Sequence, residues 1–181
     1  IAELFDSAAL YCTQPLPRGG RVAIITTAGG PGIMATDSAV RFGLKLAELS
    51  PATQEKLKSS LPSTASLRNP IDVIGDARAD RYRSAVRTVL EDDHVDMGMV
   101  ILTPQSMTDV EETAAVVPDA VRGIKKPVVC SFMGAKDVAP GVAILRRAGI
   151  PYYPFPEDAI RSLAAAERLV ALHEIPRREM H

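Results

Sequence analysis

Arg21-Val22-Ala23-Ile24-Ile25-Thr26-Thr27-Ala28-Gly29-Gly30-Pro31-Gly32-Ile33 is the stretch that decides the fold. Apolar residues at consecutive positions from Val22 to Ile25 describe a strand buried on both faces, as strands of a parallel sheet are. The glycines and proline that follow punctuate the chain, and a helical period begins at once. The same unit recurs downstream. Leu44–Ala47, Met97–Leu102, Pro127–Phe132 and Gly149–Tyr153 read as further strands, separated by helical stretches over about 51–60, 80–90, 109–122, 138–145 and 156–172. Ser50-Pro51 supplies an N-cap and a first helical residue, and Tyr82, Val86, Val89 and Leu90 share one helix face. Asn69-Pro70-Ile71-Asp72-Val73 is extended, because a residue before proline is pushed out of the helical region, and is expected to be an irregular edge or loop.

Five strands alternating with helices predict an α/β fold: a flavodoxin-like, doubly wound, five-stranded parallel sheet with helices on both faces. Ligands of such folds collect beyond the carboxyl ends of the strands. Residues 1–19 read as an N-terminal helix and a Pro/Gly linker from a preceding domain, 20–172 as the flavodoxin-like domain, and 173–181 as a tail. The chain opens without methionine, as an excised segment would.

Composition removes several function classes. The 21 basic and 22 acidic side chains leave a net charge of −1, so no positive field gathers nucleic acid or an anionic membrane. No apolar run has the length of a membrane span. Cys12 and Cys130 lack neighbours that would complete a zinc site or redox pair, which predicts reduced thiols and a cytoplasmic setting. With no Trp and 4% aromatic residues, flavin stacking is unsupported. A phospho-receiver needs an acidic pair after the first strand, where Ala28-Gly29-Gly30 stands, so Lys136 does not define one.

Gly29, Gly30, Pro31, Gly32 and Ile33 open a helix directly after a buried strand. Unpaired N–H groups there, with no Cβ in the way, form an anion seat favoured by the helix dipole; a tight turn that needs glycine for geometry alone reads equally well. Gly30 to Ala35 also fits a loose dinucleotide pattern, with Glu48 at the distance of a ribose-binding acid. His94, in Glu91-Asp92-Asp93-His94, reads as a solvated turn, and His173 and His181 as terminal residues. Asp72 and Asp76 read as turn residues before metal ligands, and no metal site is predicted. Met97, Met99 and Met107 read as filler.

The run Arg21 to Asp37 resembles the opening of the ligase domain in ADP-forming acetyl-CoA synthetases, relatives of succinyl-CoA synthetase. Leu61-Pro62 followed by Asn69-Pro70-Ile71-Asp72-Val73-Ile74-Gly75 resembles that family's second signature, and Pro127-Val128-Val129 and Gly149-Ile150-Pro151 stand at matching places. The resemblance covers about Gly20 to Leu172. It implies a reversible NDP-forming acyl-CoA synthetase working through acyl phosphate and a phosphohistidine. It also implies that Gly29–Ile33 binds phosphate, while Thr103, Gln105 and Ser106, with Asn69 and Asp72, lie near a small acyl substrate. Implied cofactors of the parent enzyme are CoA, ATP or ADP, and Mg; none is expected on this segment. Implied partners are a CoA-binding and phosphohistidine-bearing module and an ATP-grasp domain, with oligomerisation left open. The family's phosphorylated histidine has no counterpart here, so the segment alone is expected to be inert. Two alternatives remain: a ligand-sensing regulatory domain of a synthetase-like protein lysine acetyltransferase, and a nicotinamide dinucleotide-binding domain.

Overall fold

The computed structural model describes residues 2–174. Its elements run α1 (Ala2–Thr13), β1 (Arg21–Thr26), α2 (Gly29–Arg41), β2 (Lys45–Leu46), α3 (Pro51–Ser60), β3 (Ile71–Asp72), α4 (Ala79–Leu90), β4 (Met97–Leu102), α5 (Val110–Ala120), β5 (Val128–Phe132), α6 (Ala139–Arg147) and α7 (Pro156–Glu174). All strand pairs are parallel, in the order β2-β1-β4-β5, and β3 also pairs with β1.

Alternation along the central strands sorts the core into two layers, because successive side chains of a strand point to opposite faces. Ala23, Ile25, Val100, Leu102, Val128, Cys130 and Phe132 pack with residues of α3 to α6. Val22, Ile24, Met97, Met99, Ile101 and Val129 pack with α2, α7 and Leu10 of α1. Met97 and Met99 are thus core, while Met107 is 64% exposed. Helix α1 is fastened to the same body: Leu10 is fully buried, and the Tyr153 hydroxyl donates to the Asp6 carbonyl at 2.8 Å. Gln14 completes the attachment, accepting from the Val128 amide at 3.0 Å and donating to the Gly149 carbonyl at 2.8 Å.

Two strand expectations are corrected. Gly149–Tyr153 occupies the place of a fifth strand but makes a single bridge, Cys130 to Tyr152. Pro151 contributes its carbonyl to the Cys130 amide, but has no N–H with which to extend a ladder. The segment expected to be irregular instead supplies a strand, with Ile71 and Asp72 paired to Ile25 and Thr26. Since β2 pairs with Arg21 and Val22, the two short strands share one edge of β1, leaving Ile24 between them. There Asn69 inserts its side chain. Its Oδ1 accepts from the Ile24 amide at 3.0 Å, and its Nδ2 donates to the carbonyls of Val22 at 2.7 Å and Ala47 at 3.1 Å. A side-chain amide has the donor and acceptor that a backbone peptide would have supplied.

The amino ends of the strands are held by charge. Asp96, only 7% exposed, accepts from Arg21 through Nε at 2.8 Å, Nη2 at 2.8 Å and the backbone amide at 3.0 Å. The turn expected to be solvated is therefore anchored on both sides, although His94 itself is exposed. Asp92 accepts from the Ser50 amide at 2.7 Å and the His94 amide at 2.9 Å, and Ser50 caps α3 as its sequence predicts, accepting from the Thr53 amide. The Arg21 hydrogen bonds hold the Asp96 carboxyl below the usual carboxylate range. Burial pushes Asp92 up, but donors from His94, Thr53 and Ser50 outweigh it, and the net shift is downward.

Both folded-state pKa values lie below the reference value of 3.8, so the carboxylates' stabilisation is present above that pH and disappears as pH falls through the folded values. Thermal unfolding of the chain from pH 7 to pH 2.5 is expected to show this share of the midpoint flat down to about pH 4 and falling below it. Asp96→Asn should cost about 1–3 kcal/mol at pH 7 and weaken the acid dependence; an unchanged midpoint at pH 7 would refute the clamp.

Candidate functional site

The carboxyl edge of the sheet gathers the loops after β1, β3, β4 and β5, as the parallel topology requires. At its centre α2 begins with Gly29 and Gly30, both exposed. The preceding residue, Ala28, is extended and offers no side chain to cap the helix. The Ala28 amide is already used, donating to Thr26 Oγ1 at 3.0 Å, while that hydroxyl donates back to the Ala28 carbonyl at 2.9 Å. The first helical bond runs from the Gly32 amide to the Ala28 carbonyl at 3.2 Å. Pro31 has no N–H. The amides of Gly29 and Gly30 are thus the orphan donors of the first turn, and neither has an acceptor among the described residues.

The glycines divide into two kinds. At Gly29 and Gly30 nothing described lies within 4 Å of where a β-carbon would stand, and neither has a positive φ. No turn geometry or internal crowding requires glycine there. A helical glycine costs up to about 1 kcal/mol relative to alanine, and no contact among the described residues accounts for glycine at these two positions. Gly32 is different: it is buried, and a β-carbon would meet Thr26 Cγ2 at 3.2 Å and Pro70 Cβ at 3.5 Å. Of the expected phosphate-binding residues, then, Gly29 and Gly30 present amides, Pro31 shapes the turn, Gly32 allows close packing, and the Ile33 side chain stands 63% exposed.

Neither threonine beside the helix end has a proton to spare. Tyr82, fully buried, lies with its hydroxyl 2.9 Å from the Ile101 carbonyl and 3.1 Å from Thr27 Oγ1. A carbonyl can only accept, so the tyrosine proton is used on Ile101 and the Thr27 hydroxyl donates to Tyr82. Burial pushes the Tyr82 hydroxyl's pKa well up, with the Thr27 hydrogen bond opposing. With the Thr26 proton spent on Ala28, any anion at this end is met by main-chain amides and the helix dipole.

The other predicted residues fall at two places. Asp72 Oδ1 accepts from the Ile74 amide at 2.8 Å, supporting a turn in which Ile74 has φ +69°. This is rare for a β-branched residue, and such outliers cluster at functional sites. Asp76 pairs with Arg81 at 2.5 Å, as a turn residue would. The Gln105 side chain lies against Gly75, where a β-carbon would come within 2.6 Å of Nε2. Thr103 Oγ1 is buried without a partner among the described residues, and Ser106 is exposed. Asn69 is not at this edge: its amide is consumed between β1 and β2. Glu48, expected of a dinucleotide site, lies beyond β2, with β3 standing between it and the α2 end along the same edge of β1. His173 Nδ1 lies 2.8 Å from the Leu169 carbonyl, and His181 falls outside the described residues. Among the described residues no group of three or more His, Cys, Asp or Glu could hold a metal, and no helix is long and apolar enough to cross a membrane.

Sequence reasoning missed Thr26, Tyr82, Ile74 and Gly75. The turn at Ile74 has no signature, because isoleucine is the last residue one expects at positive φ. The Thr26 cap bonds to a residue two positions on and is indistinguishable in sequence from any strand-end threonine.

A flavodoxin-like order with a bare, uncapped helix end at the carboxyl edge defines the class, a doubly wound α/β domain. The family model for the Ligase-CoA domain matches residues 22–172, and the chain belongs to that family. It is 38% identical over 168 residues to ADP-forming acetate–CoA ligase I of Archaeoglobus fulgidus, covering 93% of this chain and 23% of that protein. To the alpha subunit of ADP-forming acetate–CoA ligase II of Pyrococcus furiosus it is 39% identical over 175 residues, covering 94% of this chain and 37% of the subunit. Among solved structures, PH0766 from Pyrococcus horikoshii OT3 superposes with a TM-score of 0.91 at 36% identity, covering 97% of this chain and 41% of that one. The dinucleotide-forming acetyl-coenzyme A synthetase 1 of Ca. Korarchaeum cryptofilum, in complex with phosphate and ADP, superposes with a TM-score of 0.87 at 28% identity, covering 98% of this chain and 40% of that one. The chain thus spans well under half the length of these relatives.

The two kinds of glycine should separate in a stability measurement. Gly30→Ala is expected to raise stability by roughly 0.5–1 kcal/mol, since the new methyl meets nothing and the unfolded chain loses freedom. Gly32→Ala should lower it by about 1–3 kcal/mol through crowding of Thr26 and Pro70. Denaturant midpoints of the two variants check this, and equal shifts of the same sign would contradict it.

Proposed function

We propose that this chain is the ligase-CoA domain of an NDP-forming acyl-CoA synthetase, which converts acyl-CoA, phosphate and ADP reversibly into acid, CoA and ATP. The observation that carries this reading is the open first turn of α2, with two unpartnered glycine amides at the carboxyl edge. Family membership, and relatives named as ADP-forming ligases, support it.

In this reading a histidine on a neighbouring module takes the phosphoryl group from an acyl phosphate. The Gly29 and Gly30 amides and the α2 dipole offset its charge while it resides at this edge. Fixed main-chain dipoles suit a group that must arrive and leave, because they need no reorganisation at each transfer. Apolar side chains standing in solvent around the edge fit a surface that another module covers: Ile33 is 63% exposed, Met34 39%, Met107 64% and Phe155 54%. Covering them would exclude water and strengthen the electrostatic hold on the phosphoryl group.

CoA and the adenine nucleotide are proposed to bind on the CoA-binding and ATP-grasp modules of the same enzyme. Magnesium is proposed to accompany the nucleotide there, since the carboxylates of this domain do not assemble a cation site. Asp72, at the end of β3, and Thr103, Gln105 and Ser106, in the loop after β4, are proposed to border the acyl group. The 20–172 unit is proposed as the ligase domain, with 1–19 leading in from the preceding module and α1 packed onto the domain.

The test uses the complete enzyme. Gly30→Asp places a carboxylate in open space beside the two amides, and should lower phosphohistidine formed from radiolabelled ATP at least about tenfold, while leaving the fold intact by circular dichroism. Wild-type labelling by that variant would end the assignment of the seat.

A further inference from the structure

The α2 end is held in place from outside its own loop. Asn69 ties three backbone groups of β1 and β2, with Nδ2 to Val22 O at 2.7 Å, Nδ2 to Ala47 O at 3.1 Å and Oδ1 to Ile24 N at 3.0 Å. The next residue, Pro70, lies against the α2 backbone. A β-carbon on Gly32 would come to 3.5 Å of Pro70 Cβ and 3.7 Å of Pro70 Cγ, beside the Thr26 methyl at 3.2 Å. Two residues on, Asp72 pairs with Thr26, whose carbonyl accepts from the Val73 amide at 2.8 Å. The Thr26 hydroxyl in turn holds Ala28, the residue before the helix.

We propose that Asn69 is a positioning residue for the phosphate seat. It anchors Pro70 against Gly32 and thereby sets the position of the Gly29 and Gly30 amides, without touching the phosphoryl group. This rests on the ligase reading above.

The physical argument is one of rigidity. Helix α2 rests on the sheet through its buried face, Gly32, Ala35, Ser38 and Ala39, all small residues with short side chains to interlock. Beside the first turn, the rigid pyrrolidine ring of Pro70 fills the place a longer side chain would have filled. The ring in turn is fixed because its neighbour is fastened by three hydrogen bonds, to Val22 and Ile24 of β1 and to Ala47 just after β2. Interactions aimed at a reacting group lose effect steeply with misplacement of the order of 1 Å, so the brace matters to chemistry more than its size implies.

The experiment measures steady-state kinetics of the complete enzyme in the acyl-CoA plus phosphate direction for Asn69→Asp, Pro70→Ala and Gly30→Asp, with thermal midpoints for each. Asn69→Asp removes the two Nδ2 donations. Pro70→Ala leaves the Asn69 side chain itself unaltered and removes the ring. Both are expected to raise KM for inorganic phosphate about tenfold, in line with amides displaced by a fraction of an ångström, and to leave KM for ADP unchanged. A residue that only stabilises the fold would lower the thermal midpoint and the active fraction with both KM values as in the wild type, and that result overturns the proposal. If Asn69→Asp fails to fold, Pro70→Ala decides alone by the same criterion. A raised phosphate KM in Gly30→Asp with wild-type values in folded Asn69→Asp and Pro70→Ala sinks the brace and spares the seat. Wild-type behaviour of Gly30→Asp sinks the ligase reading of the seat itself.

Discussion

Between β2 and β3 the edge of β1 has no strand beside it, and the carboxamide of Asn69 stands there in place of backbone. This substitution governs the geometry around it. Unpaired main-chain groups at a buried sheet edge are costly, so without a side chain able both to donate and to accept, β1 would be paired by one continuous strand. Such a strand would carry the chain past the α2 end in regular conformation. Because the pairing is split, the segment after Asn69 can turn, bring Pro70 under Gly32, and re-enter the sheet as β3 at the height of Thr26.

The two ends of the sheet are built on opposite electrostatic plans. At the amino end, formal charges find partners: Arg21 pairs with Asp96, and the Lys126 ammonium donates to the carbonyls of Leu90 and Asp92. Each group is satisfied, and the arrangement is structural. At the carboxyl end, partial charges are left without partners: the amides of Gly29 and Gly30 and the hydroxyl of Thr103. Native folds satisfy most buried polar groups and leave a few unpaired where function asks for it.

In the proposed reading, bare glycine and apolar side chains at this edge serve one end. A doubly charged phosphoryl group needs close approach to amides, and the strength of that contact depends on removing water. Gly29 and Gly30 allow the approach, while Ile33, Met34, Met107 and Phe155 offer a surface from which water can be driven. Polar side chains at those positions would hold water where the proposed chemistry excludes it.

By itself the sequence determined the layers of the fold. The apolar runs at Val22–Ile25, Met97–Leu102 and Pro127–Phe132 read as strands covered on both faces, and the glycines after the first marked where a helix begins, since burial pattern and backbone freedom are properties of short stretches. What the tertiary structure decided were relations between distant stretches. That Gly32 is hemmed in while Gly29 and Gly30 stand open depends on where Pro70 lies, some forty residues away. That the Asn69 carboxamide fastens the sheet depends on the gap between β2 and β3. That the 149–153 run makes one bridge while Ile71–Asp72 makes a strand depends on which edge had donors left to satisfy. Hydrogen-bond partners across a fold are chosen by proximity, which local sequence does not encode, whereas burial and chain stiffness are written residue by residue.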